Sequence, residues 1–379
     1  MAFGLLLLFT NGFWERNKKI SEKECLLFAR EIESSIDRSD PSFLNESLNY
    51  YSFLKKVVKD LEPYNKAQLA DLAVQAKESI RFGDMVMGYL KSKNGYFNFT
   101  KLYFQNDVPH IIFRIYSQME GLNYFDCELE QINGKLNITD IFIYYAGELW
   151  STSYSRHMKL LGEYNKGELK KIHPENDFHN SLIKIDYINE LLSLGQVEVA
   201  EQLYFGIPQK FRNDKFFQSA GVKIAFQKSD SAYITAINQY LSTDPQNEAF
   251  YRFFNVLRHL ASKENSAARQ SIANLSELTG PDTLMQLFIG QTFQNEQLYQ
   301  KAVLYFDHTI ERYPDLFEAY WYKLVSLIQT KQYNDATTFI DTIIINFEAR
   351  KIDLDDLLAE YPDFINSREY LNWRNLINI

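Results

Sequence analysis

Two apolar periods divide the chain. Ser21–Ile36 carries Leu26, Leu27, Ala29, Ile32 and Ile36 at helical spacing. Arg38–Ser42 breaks that pattern. Asp40 is a good cap there, with Pro41 at a first helical position. Further helices are expected over Phe43–Leu61 and from Lys66 to about Tyr89. After Asn94-Gly95 the period drops to two. Tyr96–Gln105, Pro109–Gln118, Leu122–Gln131 and Lys135–Tyr145 read as strands. Asn106-Asp107, Glu120-Gly121 and Asn133-Gly134 fall at the turns, and Asn-Gly is a strong hairpin signal. Three helices and a four-stranded antiparallel meander are therefore predicted, with Ile111, Phe113 and Ile115 on an apolar face. Trp150–Leu161 reads as a helix, and Gly162–Pro174 as a linker.

From Ser181 the pattern is helical, with breaks every 15–20 residues. The clearest unit is 283–316. Its first helix carries Ile289, Gly290 and Phe293, its second Tyr299, Ala302 and Phe306, and Pro314 stops it. Gly290 and Ala302 let the two helices approach closely. Related units start at 181, 214, 249 and 317. Gly195, Ala200 and Tyr204 mark the first, Gly221 the second, Ala268 the third, and Tyr320, Tyr333 and Ala336 the last. This resembles the tetratricopeptide repeat, a helix–turn–helix unit of 34 residues. The matches are imperfect: Arg252 and Gln286 replace an early aromatic, and Lys323-Leu324 replaces the usual Leu-Gly pair. Helices over 352–379 would cap the open end. The N-terminal order of helices and sheet resembles, more weakly, the nuclear transport factor 2-like or cystatin-like class. The expected fold is thus an α+β domain over 20–165, a linker over 166–180, about five tetratricopeptide-like repeats over 181–350 forming an all-α solenoid, and capping helices over 351–379.

The resemblance implies a non-enzymatic interaction scaffold. Its groove, lined by the first helix of each repeat, would hold a partner peptide or helix. It would place Phe250, Phe253, Leu257, Leu284, Leu287, Gln291, Trp321, Val325 and Ile328 on that face. The alternative puts a small-ligand or enzymatic pocket in the α+β domain. Tyr124, Asp126, Asp140 and Tyr144 would line it, because a carboxylate beside a tyrosine in a dry cone is a candidate general base. A third arrangement has the groove holding the chain's own N-terminal half.

Charge and cysteines narrow the field. There are 40 basic and 49 acidic residues, a net −9, so nucleic acid is not an expected partner. The 1–172 half balances at zero, and 173–379 carries the whole excess. Cys25 and Cys127 offer a single candidate bridge and no metal set. The histidines lack ligand spacing, no phosphate-binding glycine loop is present, and no cofactor is expected. Ala2–Phe9 is an apolar run far below the ~20 residues of a membrane span. Within 1–19 it reads as a secretory signal lacking a basic start, implying export or a periplasmic location, or as an apolar end of a cytoplasmic protein.

Overall fold

The computed structural model describes residues 20–59, 61, 64–91, 95–117, 121–165, 177–347 and 351–376. The apolar run near the N-terminus and the linker stretch 166–176 lie outside them. Contacts divide the chain into two compact units. One is Met1–Phe142 with Trp150–Ser155; the other is Ile143–Leu149 with Arg156–Ile379. The division is thus two exchanged segments rather than one cut near residue 165.

In the first unit, α1 (Glu22–Asp37) starts where Ser21 and Glu24 form a reciprocal capping box. It buries Cys25, Ala29, Ile32 and Ile36. The expected second helix is two, α2 (Ser42–Ser47) and α3 (Tyr50–Val57). Leu48 is extended between them and bridges Ile138, while Asn49 donates its N–H to the Ile138 carbonyl at 2.8 Å and then caps α3. A tertiary pairing thus overrides local helical period. The third expected helix also splits, into α4 (Lys66–Ser79) and α5 (Phe82–Lys91). Tyr50 Oη donates to the Ile80 carbonyl at that break. Gly83 is needed beyond it: a Cβ there would lie 2.4 Å from the Pro41 carbonyl oxygen.

The sheet runs β1 (Tyr96–Gln105), β2 (Val108–Ser117), β3 (Gly121–Ile132), β4 (Lys135–Ile143) and a two-residue β5 (Glu148–Leu149), neighbours in that order. Among the described residues the sheet has five strands, against the four expected. Asn106, Asp107, Asn133 and Gly134 all take positive φ, as the tight hairpin turns require. The β1–β2 register pairs Phe97 with Ile115 and slips between Phe99 and Lys101. Glu33 of α1 accepts from Phe99 N and Asn98 Nδ2 beside that slip. Both faces of β2 are buried, Ile111, Phe113 and Ile115 on one and Ile112, Arg114 and Tyr116 on the other. Arg114 donates to Asn98 there. Cys25 and Cys127 are free and buried, so the candidate bridge is not formed.

The chain continues as α6 (Trp150–Asn165), α7 (Asp177–Ser193) and α8 (Val197–Phe205), a short α9 (Gln209–Arg212), α10 (Lys215–Lys228) and α11 (Asp230–Leu241). Next come α12 (Glu248–Ala261) and α13 (Asn265–Thr279), α14 (Met285–Asn295) and α15 (Tyr299–Arg312), and α16 (Phe317–Gln329) and α17 (Tyr333–Phe347). Five consecutive helix pairs result, α7/α8, α10/α11, α12/α13, α14/α15 and α16/α17, each packed on the next. Helix α7 starts four residues before the expected 181, so the linker is shorter than 166–180.

The turns inside the pairs share a conformation. Gly195, Lys263, Gln297 and Lys331 all adopt left-handed φ between 56 and 70°. Their separations, 68, 34 and 34 residues, are multiples of one period. Ser229 fills the missing 34-residue step as an extended residue whose hydroxyl caps α11. Gly290 lies against Phe306, where a Cβ would fall 2.4 Å from the ring, so the expected close approach is present. At the C-terminal end, α18 (Lys351–Leu358), α19 (Pro362–Ile365) and α20 (Arg368–Leu376) bury Leu354, Leu358, Phe364 and Tyr370 in one core with Leu324, Ile340 and Ile343.

Candidate binding groove in the helical unit

The segment Ile143–Leu149 has a short turn gripped by α10, α11 and α12. Its own closure is local: Gly147 N donates to the Ile143 carbonyl at 2.8 Å, and Ala146 N to the same oxygen at 3.0 Å. Gly147 takes φ 66°, and a Cβ there would meet the Phe250 ring at 2.4 Å. Three side chains reach the turn's carbonyls, and the one Tyr240 proton is shared among the carbonyls of Tyr145, Ala146 and Lys215. Tyr240 Oη lies 3.2 Å from the Tyr145 carbonyl and 3.3 Å from that of Ala146. Asn247 Nδ2 donates to the Gly147 carbonyl at 2.7 Å, and Lys215 Nζ to the same oxygen at 3.3 Å. Asn247 also caps α12 through its Oδ1, so one amide joins helix start to turn.

Aromatic rings build the floor. Phe250, Phe253 and Phe254 follow helical spacing on α12 and are fully buried. Tyr145 lies 5.3 Å from Phe254, Tyr144 lies 6.3 Å from Phe253, and Tyr240 stands edge-on to Phe250 at 4.8 Å. Charge closes the rim. Arg156 binds Glu148 through two bonds of 2.5 and 2.8 Å and reaches Asp214, the α10 cap, at 2.7 Å. Those bonds, Glu148 first, hold its guanidinium charged above its usual range. Lys215 pairs with Asp244 at 2.7 Å and holds that carboxyl below the usual carboxylate value. Burial pushes the Tyr240 phenol well up, so it is a donor and not an anion.

The expected groove residues are placed differently from the sequence picture. Phe250, Phe253, Leu284, Leu287 and Ile328 are buried core side chains, not an open apolar face. Leu257, Gln291, Trp321 and Val325 are half-buried. Trp321 stacks near Phe317 at 6.4 Å and meets Tyr361 at 6.5 Å, sealed against the C-terminal helices. Gln291 lies beside the Tyr322 hydroxyl. Helix packing covers the five buried side chains, and the other four keep part of their surface exposed. Tyr240, Asn247, Lys215 and Arg156 were not singled out from sequence. Only Asn247, a polar residue before Glu-Ala-Phe, carried a readable signal, as a cap.

The α+β candidates have different hydrogen-bond partners. Tyr124 is buried in the sheet. Asp126 accepts from Tyr103 Oη at 2.5 Å and meets His110 Nδ1 at 2.9 Å. Asp140 is held by other donors. It is fully buried and accepts from Ser151 Oγ at 2.5 Å, Ser151 N at 3.2 Å and Ile141 N at 2.9 Å. Lys56 Nζ lies 3.7 Å from Asp140 and 2.7 Å from Glu128. Burial raises the Asp140 carboxyl above its usual value. Burial also opposes the Glu128 charge, but the Lys56 ammonium and the Thr139 hydroxyl outweigh it and hold Glu128 low. Tyr144 sits in the helical unit with Phe253. Ser151 is buried and already donates to Asp140, so it is not presented to a substrate. Among the described residues no group of three potential metal ligands occurs, and no helix is long and apolar enough to cross a membrane. No protein-family model, curated protein or solved structure matches the chain.

Proposed function

We propose that the chain is a non-enzymatic protein-interaction scaffold whose helical unit is a tetratricopeptide-like solenoid that captures short peptide turns. One observation carries the reading. Asn247 and Lys215 hold the Gly147 carbonyl, and the single phenol proton of Tyr240 faces the Tyr145 and Ala146 carbonyls, over a floor of buried rings. That is peptide-recognition chemistry, in which carbonyls give affinity and rings read the side chains. The 34-residue recurrence of the turn conformation supports the repeat assignment. The meander with α1 packed against β1 and β2 supports the nuclear transport factor 2-like or cystatin-like reading of the α+β unit. Asp126 is engaged by Tyr103 and His110 and Asp140 by Ser151, which weighs against the enzymatic alternative.

The test is a labelled peptide carrying residues 143–149, added to the full chain and to its Gly147→Ala form. The substitution displaces the resident turn and leaves Tyr240, Asn247 and Lys215 in place. Saturable binding to the variant, at least tenfold tighter than to the unsubstituted chain, is expected, because the resident turn competes at high local concentration. Adding Asn247→Ala should abolish it. A folded Gly147→Ala chain that ignores the peptide overturns the reading.

A further inference from the structure

A second site lies on the helical unit, between α8, α9, α10 and α11, and shares only Tyr240 with the turn seat. It is a groove of about 670 Å³, within the size range of small-ligand sites. Arg212 sits on its wall. The guanidinium lies 5.3 Å from the Phe205 ring centre and 5.9 Å from that of Tyr204. Its Nε donates to the Ile207 carbonyl at 3.0 Å. The side chain is therefore aimed and held by three contacts. Among the described residues no carboxylate pairs with it. The other charges of the groove cancel, since Lys228 clamps Glu201 with two bonds of 2.7 Å. The uncompensated charge of this groove is Arg212.

Two further features define what fits. Gln218 lines the same groove, and its Oε1 is buried with no hydrogen-bond partner. A buried acceptor without a donor is costly, and a ligand O–H or N–H would relieve it. Gly221, Val222, Ala225 and Ala232 give the groove a small apolar stretch, beside polar lining from Gln209, Asn213, Ser231, Thr235 and Gln239. The Phe205 ring carries Arg212 on it and meets Tyr204 at 5.7 Å, yet Phe205 stays 60% exposed. We propose that this groove binds a flat aromatic carboxylate bearing a hydrogen-bond donor. The carboxylate takes the guanidinium fork, the planar body lies against Phe205 and the small side chains, and the donor reaches Gln218 Oε1. A guanidinium matches a carboxylate by two parallel bonds, which a neutral amide cannot reproduce.

Calorimetry or ligand-observed NMR on the full chain tests this, with 3- and 4-hydroxybenzoate, benzoate and 4-hydroxybenzamide as probes. A hydroxybenzoate is expected to bind saturably, with a Kd below about 1 mM. Benzoate and the amide should each bind at least tenfold more weakly. Arg212→Gln should cost the hydroxybenzoate at least tenfold. Gln218→Leu should erase the preference for the hydroxylated acid while keeping benzoate binding. Circular dichroism checks that the variants fold, and if Arg212→Gln does not, the acid–amide comparison on the unsubstituted chain stands in for it. No saturation by any acid, equal binding of acid and amide, or unchanged binding in folded Arg212→Gln overturns the proposal.

Discussion

Gly147→Ala separates two costs that most glycine substitutions confuse. The first is backbone strain. At φ 66° a side chain is disfavoured, by about 1 kcal/mol. The second is collision. The new Cβ would stand 2.4 Å from Phe250 Cδ2 and 2.7 Å from its Cγ, far inside contact distance. Phe250 cannot swing away easily. It is fully buried and held by Tyr240 at 4.8 Å and Phe254 at 5.0 Å. Forcing atoms into such packing costs about 1–3 kcal/mol. The total is then about 2–4 kcal/mol. Gly195 supplies the control. It has φ 70° in the same unit, and a Cβ there meets nothing within 4 Å. Gly195→Ala should cost only the strain, about 1 kcal/mol. Urea unfolding of both chains, followed by far-ultraviolet circular dichroism, reads the difference as a shift in midpoint at constant slope. Hydrogen exchange at the Ala146 and Gly147 amides should accelerate in the first variant and not in the second. Equal midpoints for the two variants would refute the claim that the turn is clamped on Phe250.

Other consequences follow from single residues. Lys263→Gly, Gln297→Gly and Lys331→Gly should each stabilise the chain by about 0.5–1 kcal/mol in thermal or urea unfolding, since each relieves a left-handed φ at 56–60°. Burial keeps the His157 imidazole neutral: its pKa lies below its usual 6.5, with Arg156 adding to that and Asp214 and Glu148 opposing it. The unfolded chain therefore binds the proton more readily. The stability held above pH 6.5 should fall as pH drops below it, and His157→Phe should flatten that slope in urea titrations at graded pH. Burial pushes the Cys25 thiol up to about 11 and the Cys127 thiol well above its usual value, so neither should react with a disulfide reagent at pH 8 until urea unfolds the chain.

Much of the fold was legible because it rests on local signals. The strand boundaries followed from alternation and from Asn-Gly and Asn-Asp pairs that adopt the required positive φ. The helix pairs followed from small residues at contacts, as at Gly290 against Phe306. The misses are tertiary. Nothing in Phe43–Leu61 announces that Leu48 will pair with Ile138, 90 positions away, and so break the helix. Asp126 and Asp140 both sit in strand patterns, yet their partners Tyr103, His110, Ser151 and Lys56 come from other elements. Alternation says which face a residue takes. It does not say which distant donor waits there.

The same limit explains why the aromatic helix α12 reads from sequence as an open groove. In Glu248–Ala261 the rings of Phe250, Phe253 and Phe254 satisfy any pattern for an exposed anchor and any pattern for a core equally well. What separates the two is the occupant, and here the occupant is Ile143–Leu149, some 100 residues earlier in the chain. It follows that truncating an aromatic on α12 does not isolate binding. Phe253→Ala would remove a fully buried ring at a cost of about 3–5 kcal/mol, so lost capture would report lost packing. The residues that can separate binding from folding are the polar ones that face the turn. Asn247→Asp keeps the Oδ1 cap on α12 and removes the Nδ2 donor to Gly147. On the Gly147→Ala background it should weaken the 143–149 peptide at least tenfold while the helical signal stays intact. If that affinity is unchanged, the Gly147 carbonyl is not a recognition point, and the ring floor alone carries the seat.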